Sequence, residues 1–208
     1  MYLENPSYLG VIQTDGARLG EAAHADGALF LVGVDPSSLG VLAPPADYGA
    51  DIVSGDLQPL GMHMNYGGGL AGFVATHDDP RLVMEMPTRL AGITTTAAPG
   101  EYGFGEVAFA RTSFIGREKG KEYVGTGTNL WGIVAGAYLA LMGPAGMREL
   151  GEGVIQRTRY AMERMTSLTG VEILARDHPH YNEFVACMDR TGRTVAHLNQ
   201  ALLRVGIS

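Results

Sequence analysis

A short apolar run, Ala28 to Val34, ends in a single carboxylate, Asp35. An unbroken apolar run of that length reads as a strand buried on both faces, the habit of parallel sheets. Residues 1–10 read as the end of a strand running into a loop, so upstream structure is expected. Arg18 to Ala25 reads as a short helix closed by Gly27. Beyond Asp35 a loop broken by Pro44-Pro45 leads to a second short strand, Asp51 to Val53. Phe73 to Thr76 reads as an edge strand fed by a glycine hairpin, and residues 78–124 as loop-rich, with a hairpin from Gly103 to Ser113.

The second half changes period. Leu130 to Met142 is almost uncharged, which predicts a buried helix, and Gly143-Pro144 breaks it. Ala145 to Leu168 predicts a long amphipathic helix with Met147, Leu150, Val154, Tyr160, Ala161 and Met165 as its stripe and its arginines and glutamates as a solvated face. Val171 to Leu174 and Glu183 to Met188 read as strands, and Val195 to Leu203 as a helix. The fold class is α/β, divided into residues 1–143 and a connecting helix with a small, incomplete α+β unit, residues 144–208.

Composition narrows the function. Of 208 residues 46% are hydrophobic and 18% charged, which is globular, and the net charge of −7 without a basic run argues against nucleic acid or an anionic membrane as partner. No apolar span of membrane length is read from the sequence. Cys187, the one cysteine, lies in an apolar run and is expected as a small buried hydrophobe; with no disulfide possible within the chain, a cytoplasmic location is expected. Only Lys119 and Lys121 are lysines, so a mechanism needing a buried lysine in this chain has almost nowhere to find it.

Six histidines are scattered. His24 is expected to pack in the core, and His178-Pro179-His180 lacks the neighbouring ligands of a zinc site. A literal G-x-G-x-x-G at Gly67, Gly69 and Gly72 precedes a strand pattern where a dinucleotide fingerprint needs a helix. Gly125-Thr126-Gly127-Thr128-Asn129 opens the Leu130 helix. Small hydroxyl residues and glycines there suit an anion, through free N–H groups and the helix dipole, or else plain N-capping by Thr128 or Asn129. A strand-tip carboxylate some ninety residues before such a segment is what a pyridoxal phosphate site asks for: the acid keeps the pyridine nitrogen protonated and the amides hold the phosphate. The Schiff-base lysine is missing.

These residues carry a resemblance. His24 to Phe30, Val34-Asp35-Pro36-Ser37-Ser38-Leu39-Gly40, Leu42 to Val53, Gln58-Pro59-Leu60-Gly61, Met86-Pro87-x-Arg89, Arg117-Glu118-Lys119, Ala137 to Gly143 and Tyr181 to Val185 together resemble the glycine dehydrogenase (decarboxylating) P-protein, more narrowly subunit 1 of its two-subunit form. The resemblance covers nearly the whole chain. It implies part of a fold-type I pyridoxal phosphate enzyme large domain over residues 1–143, with the small domain after it. In that family the catalytic subunit has lysine where Gln58 stands, whereas subunit 1 has glutamine.

The resemblance therefore implies a subunit that completes the active site of a partner carrying the Schiff-base lysine, in chemistry on glycine or another small amino acid. Asp35, Gln58, Thr126, Gly127, Thr128 and Asn129 are the implied cofactor-site residues, with substrate contacts from Arg117 or Lys119. A chain supplying the N-terminal half and a lipoyl carrier protein are the other implied partners. Residues 111–116 and 120–127 depart from the family pattern nearest the cofactor. That suggests a paralogue with a different substrate or reaction, or a scaffold or regulatory subunit in which Asp35 caps a loop.

Overall fold

The computed structural model describes residues 1–62, 69–122, 124 and 127–207. Four strands form the main sheet in chain order: β1 (Tyr2–Glu4), β2 (Leu31–Val34), β3 (Ile52–Asp56) and β4 (Gly72–Thr76). The first three run parallel, and β4 returns antiparallel at the edge. Helix α1 (Gly16–Ala25) is the crossover from β1 to β2, as a parallel pair requires. Strand β2 is shorter than the apolar run that predicts it, because Phe30 donates its N–H to the Asp51 carboxylate at 2.7 Å instead of to a neighbouring strand.

Burial follows the alternation of β2 and its neighbours. Phe30 and Val32 are fully buried, and Val34, Ala23 and Ala50 close the cluster, with Leu3, Leu19, Tyr48, Val53 and Phe73 packed against it. Burying a side chain such as Phe30 stabilises by about 1.5–3 kcal/mol, so this cluster fixes the strand tips that lie above it. Gly20 is required here: a Cβ would meet Phe30 and the Tyr48 carbonyl at 2.9 Å.

The short helix α2 (Pro80–Val83) leads to a separate hairpin, β5 (Ala91–Thr95) with β6 (Tyr102–Glu106), and α3 (Ser113–Gly116) follows. The expected hairpin at Gly103 to Ser113 therefore lies earlier, its turn built on Ala97 to Glu101, where Thr96 caps the bend. Helix α4 (Asn129–Thr166) is two rods meeting at Gly143, whose φ of 60° and ψ of 179° are not helical, with Pro144 free to start the second rod. The small pair β7 (Glu172–Ile173) with β8 (Ala186–Cys187) and helix α5 (Val195–Arg204) complete the described chain.

Four expectations fail on packing. The first rod of α4 is not a buried helix: Ala135 is its buried residue, while Leu130, Ile133 and Leu141 are 65%, 68% and 85% exposed. These side chains are left uncovered by the described residues, and α4 does contain a stretch long and apolar enough, by length and composition alone, to cross a membrane. The second rod buries Met147, Gly151, Thr158 and Met162, leaving Tyr160 exposed. Cys187 is exposed, since it shares with Glu172 the face of the β7–β8 pair opposite Ile173 and Ala186, which pack in the Met162 cluster. His24 is half exposed, held at 2.9 Å from Asp51 rather than packed in the core.

Candidate active site

Each of the three parallel strands ends in a carboxylate: Glu4 closes β1, Asp35 follows β2 and Asp56 closes β3. Together they line one cleft of about 550 Å³, which Glu183 joins from the C-terminal segment. Sequence reasoning found Asp35 and missed Glu4 and Asp56. The signal was there, since both also end short apolar strand patterns.

Asp35 is engaged by its own chain. One carboxylate oxygen accepts the Ser37 N–H at 2.9 Å and the Ser37 hydroxyl at 2.6 Å, so it caps the 3-10 turn Pro36–Gly40. The other accepts from Asn182 Nδ2 at 3.1 Å. Ser37 Oγ lies 3.0 Å from the hydroxyl of Tyr181, which is fully buried and whose pKa burial pushes up. The segment carrying Tyr181 and Asn182 reaches the cleft because Tyr181 donates its N–H to Gly10 O at 3.0 Å and His180 bridges Val11. Gly10, with φ of +79°, has no room for a Cβ against the Glu183 backbone.

Gln58 does not line this cleft; its side-chain oxygen accepts from Ala71 N–H at 3.5 Å. The charged residues lining this cleft are all acids. A phosphate dianion would be opposed there by about 2 kcal/mol per carboxylate at 4 Å in water and about 8 kcal/mol at an effective dielectric of about 20. With no lysine for an imine and Asp35 spoken for, these residues do not fit a covalently held pyridoxal phosphate.

A second cleft, about 850 Å³, opens at the start of α4 and is lined by Thr88, Arg89, Glu106, Ser113, Glu122 and Asn129 among others. Gly127, Thr128 and Asn129 are exposed. The Thr128 side chain makes no capping bond; its carbonyl accepts from Trp131 and Gly132 N–H at 2.9 and 3.2 Å. Gly125 and Thr126 lie outside the described residues, as does Gly67 of the glycine segment.

Arg89 is the cation the structure brings to this cleft. Its guanidinium sits 4.4 Å over the Phe114 ring, with Nε 3.8 Å from a Glu106 oxygen. Arg117 and Lys119 are exposed and do not line it. Sequence reasoning had Arg89 within a motif and gave it no role, because its distance in sequence from Asn129 is closed only by the fold. Buried Arg111 props the turn that carries it, donating to Met84 O and Thr88 O at 3.2 and 2.9 Å. Glu122 accepts from Ser113, which holds its carboxyl below the usual carboxylate range. Among the described residues no group of three or more His, Cys, Asp or Glu could hold a metal ion.

The glycine cleavage system P-protein family profile matches residues 1–207. A probable glycine dehydrogenase (decarboxylating) subunit 1 from Aeropyrum pernix is 43% identical over 173 residues, covering 83% of this chain and 37% of that protein. Another from Staphylothermus marinus is 35% identical over 208 residues, covering 100% of this chain and 44% of that protein. A crystal structure of glycine decarboxylase (P-protein) in inhibitor-bound form superposes with a TM-score of 0.86 at 35% identity, covering 99% of this chain and 45% of that one. The chain thus spans less than half the length of the relatives it matches.

Proposed function

We propose, from the premise that this chain belongs to the glycine cleavage system P-protein family, that it is the non-lysine part of a split glycine decarboxylase and completes an active site whose cofactor a partner chain holds. The observation that carries this reading is the missing lysine at the strand tips: by the family resemblance Gln58 stands where the lysine would, and both oxygens of Asp35 already accept from Ser37 and Asn182. The fold is that of the fold-type I pyridoxal phosphate enzymes, so the lysine is expected on another polypeptide.

Pyridoxal phosphate, bound on the partner, would supply the electron sink for carbanion chemistry on glycine. This chain's contribution is binding and orientation. The start of α4 offers backbone N–H groups, the helix dipole and an uncommitted Thr128 hydroxyl to a phosphate, with Thr126, Gly127 and Asn129 beside it in sequence. Arg89, held against Phe114, places a positive charge at the mouth of the same cleft, suited to a substrate carboxylate. Covering that cleft by a partner would exclude water and strengthen both contacts. The apolar face of the first α4 rod lies next to it and supplies area for docking. A lipoyl carrier protein is the other expected partner, in the cytoplasm.

A scaffold or regulatory subunit is the second reading, favoured by the Asp35 network, which makes this carboxylate a structural tie. Thr128→Ala and Arg89→Met in the assembled complex separate the two. Active-site completion predicts weaker cofactor retention for the first and a raised KM for glycine for the second. Unchanged values for both variants would leave only the scaffold.

A further inference from the structure

Arg89 and Glu106 lie side by side because the register of the β5–β6 hairpin puts them there. Glu106 ends β6 opposite Ala91, the first residue of β5, and Val107 donates its N–H to Leu90 O at 2.8 Å. Arg89 precedes that pinned segment by one residue, so backbone pairing holds both charges in the cleft at the start of α4. Nε of Arg89 lies 3.8 Å from Oε1 of Glu106.

Glu106 is the more buried partner: its side chain is 23% exposed, against 54% for Arg89. Its Oε1 is buried and has no hydrogen-bond partner among the described residues. A carboxylate oxygen withdrawn from water without a donor is destabilised, and the Arg89 guanidinium is the positive charge that offsets this. The pair differs from Lys121 and Glu85, which close to 2.6 Å. At 3.8 Å the contact is electrostatic and too long for a hydrogen bond, so Glu106 lowers the effective charge of Arg89 without occupying its donors.

The ring of Phe114 lies 4.4 Å from the guanidinium carbon, a cation–π contact that fixes the head without supplying it an oxygen acceptor. Glu122, the other carboxylate lining the cleft, accepts from Ser113. Arg89 is thus a cation whose donors can take a carboxylate and whose attraction for one is weakened by its neighbour.

A weakened attraction is what decarboxylation needs. When the bond between Cα and the carboxyl carbon of glycine breaks, the electron pair stays at Cα and the carboxylate leaves as neutral carbon dioxide. A cation that grips the carboxylate tightly therefore stabilises the ground state and not the transition state. We propose that Glu106 is a positioning residue acting through Arg89, which keeps the hold on the substrate carboxylate loose enough for that charge to be lost. The inference rests on the reading of Arg89 as the carboxylate site and adds the residue that sets its strength.

The test has one readout on the chain alone and one on its complex with a glycine dehydrogenase subunit 2. Acetate is titrated into the chain while the Arg89 Nε–H signal is followed by NMR, and single-turnover release of carbon dioxide from carboxyl-labelled glycine is measured on the complex. Glu106→Gln is expected to tighten acetate about threefold, the scale of a partly exposed ion pair. It should lower KM for glycine and the single-turnover rate by the same factor, leaving their ratio unchanged. Glu106→Asp, which draws the charge back by one methylene, should fall between, and Glu85→Gln, the same charge change outside the cleft, should alter nothing. In an Arg89→Met background the effect of Glu106→Gln should vanish. The inference is overturned, with the reading of Arg89 intact, if Arg89→Met raises KM while Glu106→Gln fails to lower it or lowers it without slowing release, or if Glu85→Gln acts equally. An Arg89→Met complex with unchanged KM would remove that reading and this inference with it.

Discussion

Replacing Asp35 tests whether the strand-tip carboxylate serves as a structural tie. Asp35→Ala removes three hydrogen bonds at once: two from Ser37, at 2.9 and 2.6 Å, and one from Asn182 at 3.1 Å. Bonds to a charged acceptor are worth about 1.5–3 kcal/mol each and an N-cap replacement costs about 0.5–2 kcal/mol. Asp35 is half-buried and the three bonds share one group, so the sum is discounted to about 2–4 kcal/mol. Asp35→Asn keeps an acceptor for Ser37, and Asn182 can turn its amide to accept from the new one, so about 1 kcal/mol is expected.

Urea denaturation followed by circular dichroism reads both variants. With a slope of about 2 kcal/mol/M, the alanine variant shifts the midpoint by about 1–2 M. A double-mutant cycle with Asn182→Ala should give a coupling of about 0.5–2 kcal/mol. A loss below about 0.5 kcal/mol for Asp35→Ala, or additive single losses, would refute the tie.

Three further outcomes are expected. Burial tends to raise the Asp51 carboxyl, but hydrogen bonds from Phe30 N–H and His24 outweigh it and the net pKa is lowered; its stabilisation is present above the ordinary carboxylate pKa of about 4 and lost as pH falls through the lower folded value. Asp51→Asn should therefore flatten the acid limb of a stability-against-pH curve and change its slope little above pH 6. Gly10→Ala, at φ of +79° and against the Glu183 backbone, should cost more than about 1 kcal/mol and speed amide exchange at Tyr181. Ile133→Glu, on the exposed face of α4, should leave this chain's unfolding midpoint unchanged while weakening its association with a glycine dehydrogenase subunit 2 at least tenfold by calorimetry.

Much of the fold is legible in local pattern. The apolar run ending at Asp35 marks β2 and its tip, and Gly143-Pro144 marks the break in α4. What the pattern hides is anything decided by contact between distant segments. An uncharged helix reads as buried whether its cover is its own chain or another, so Leu130 to Met142 was misplaced while Met147 was not. The occupation of Asp35 by Asn182 spans 147 residues and has no local signature. Arg89 and Asn129 meet only after the hairpin folds back. The exposure of Cys187 follows from its place on the outer face of the β7–β8 pair, opposite Glu172, which residue type does not encode.

The claim that this chain holds no cofactor itself yet completes a partner's site is tested most directly by pyridoxal phosphate retention after dialysis. It is measured on this chain alone, on a subunit 2 chain alone and on the two assembled, with glycine decarboxylation assayed on each. The account predicts no retention by this chain alone, and both retention and activity in the assembly at levels the subunit 2 chain does not reach by itself. Stoichiometric retention by this chain alone, or full activity of subunit 2 without it, would contradict it.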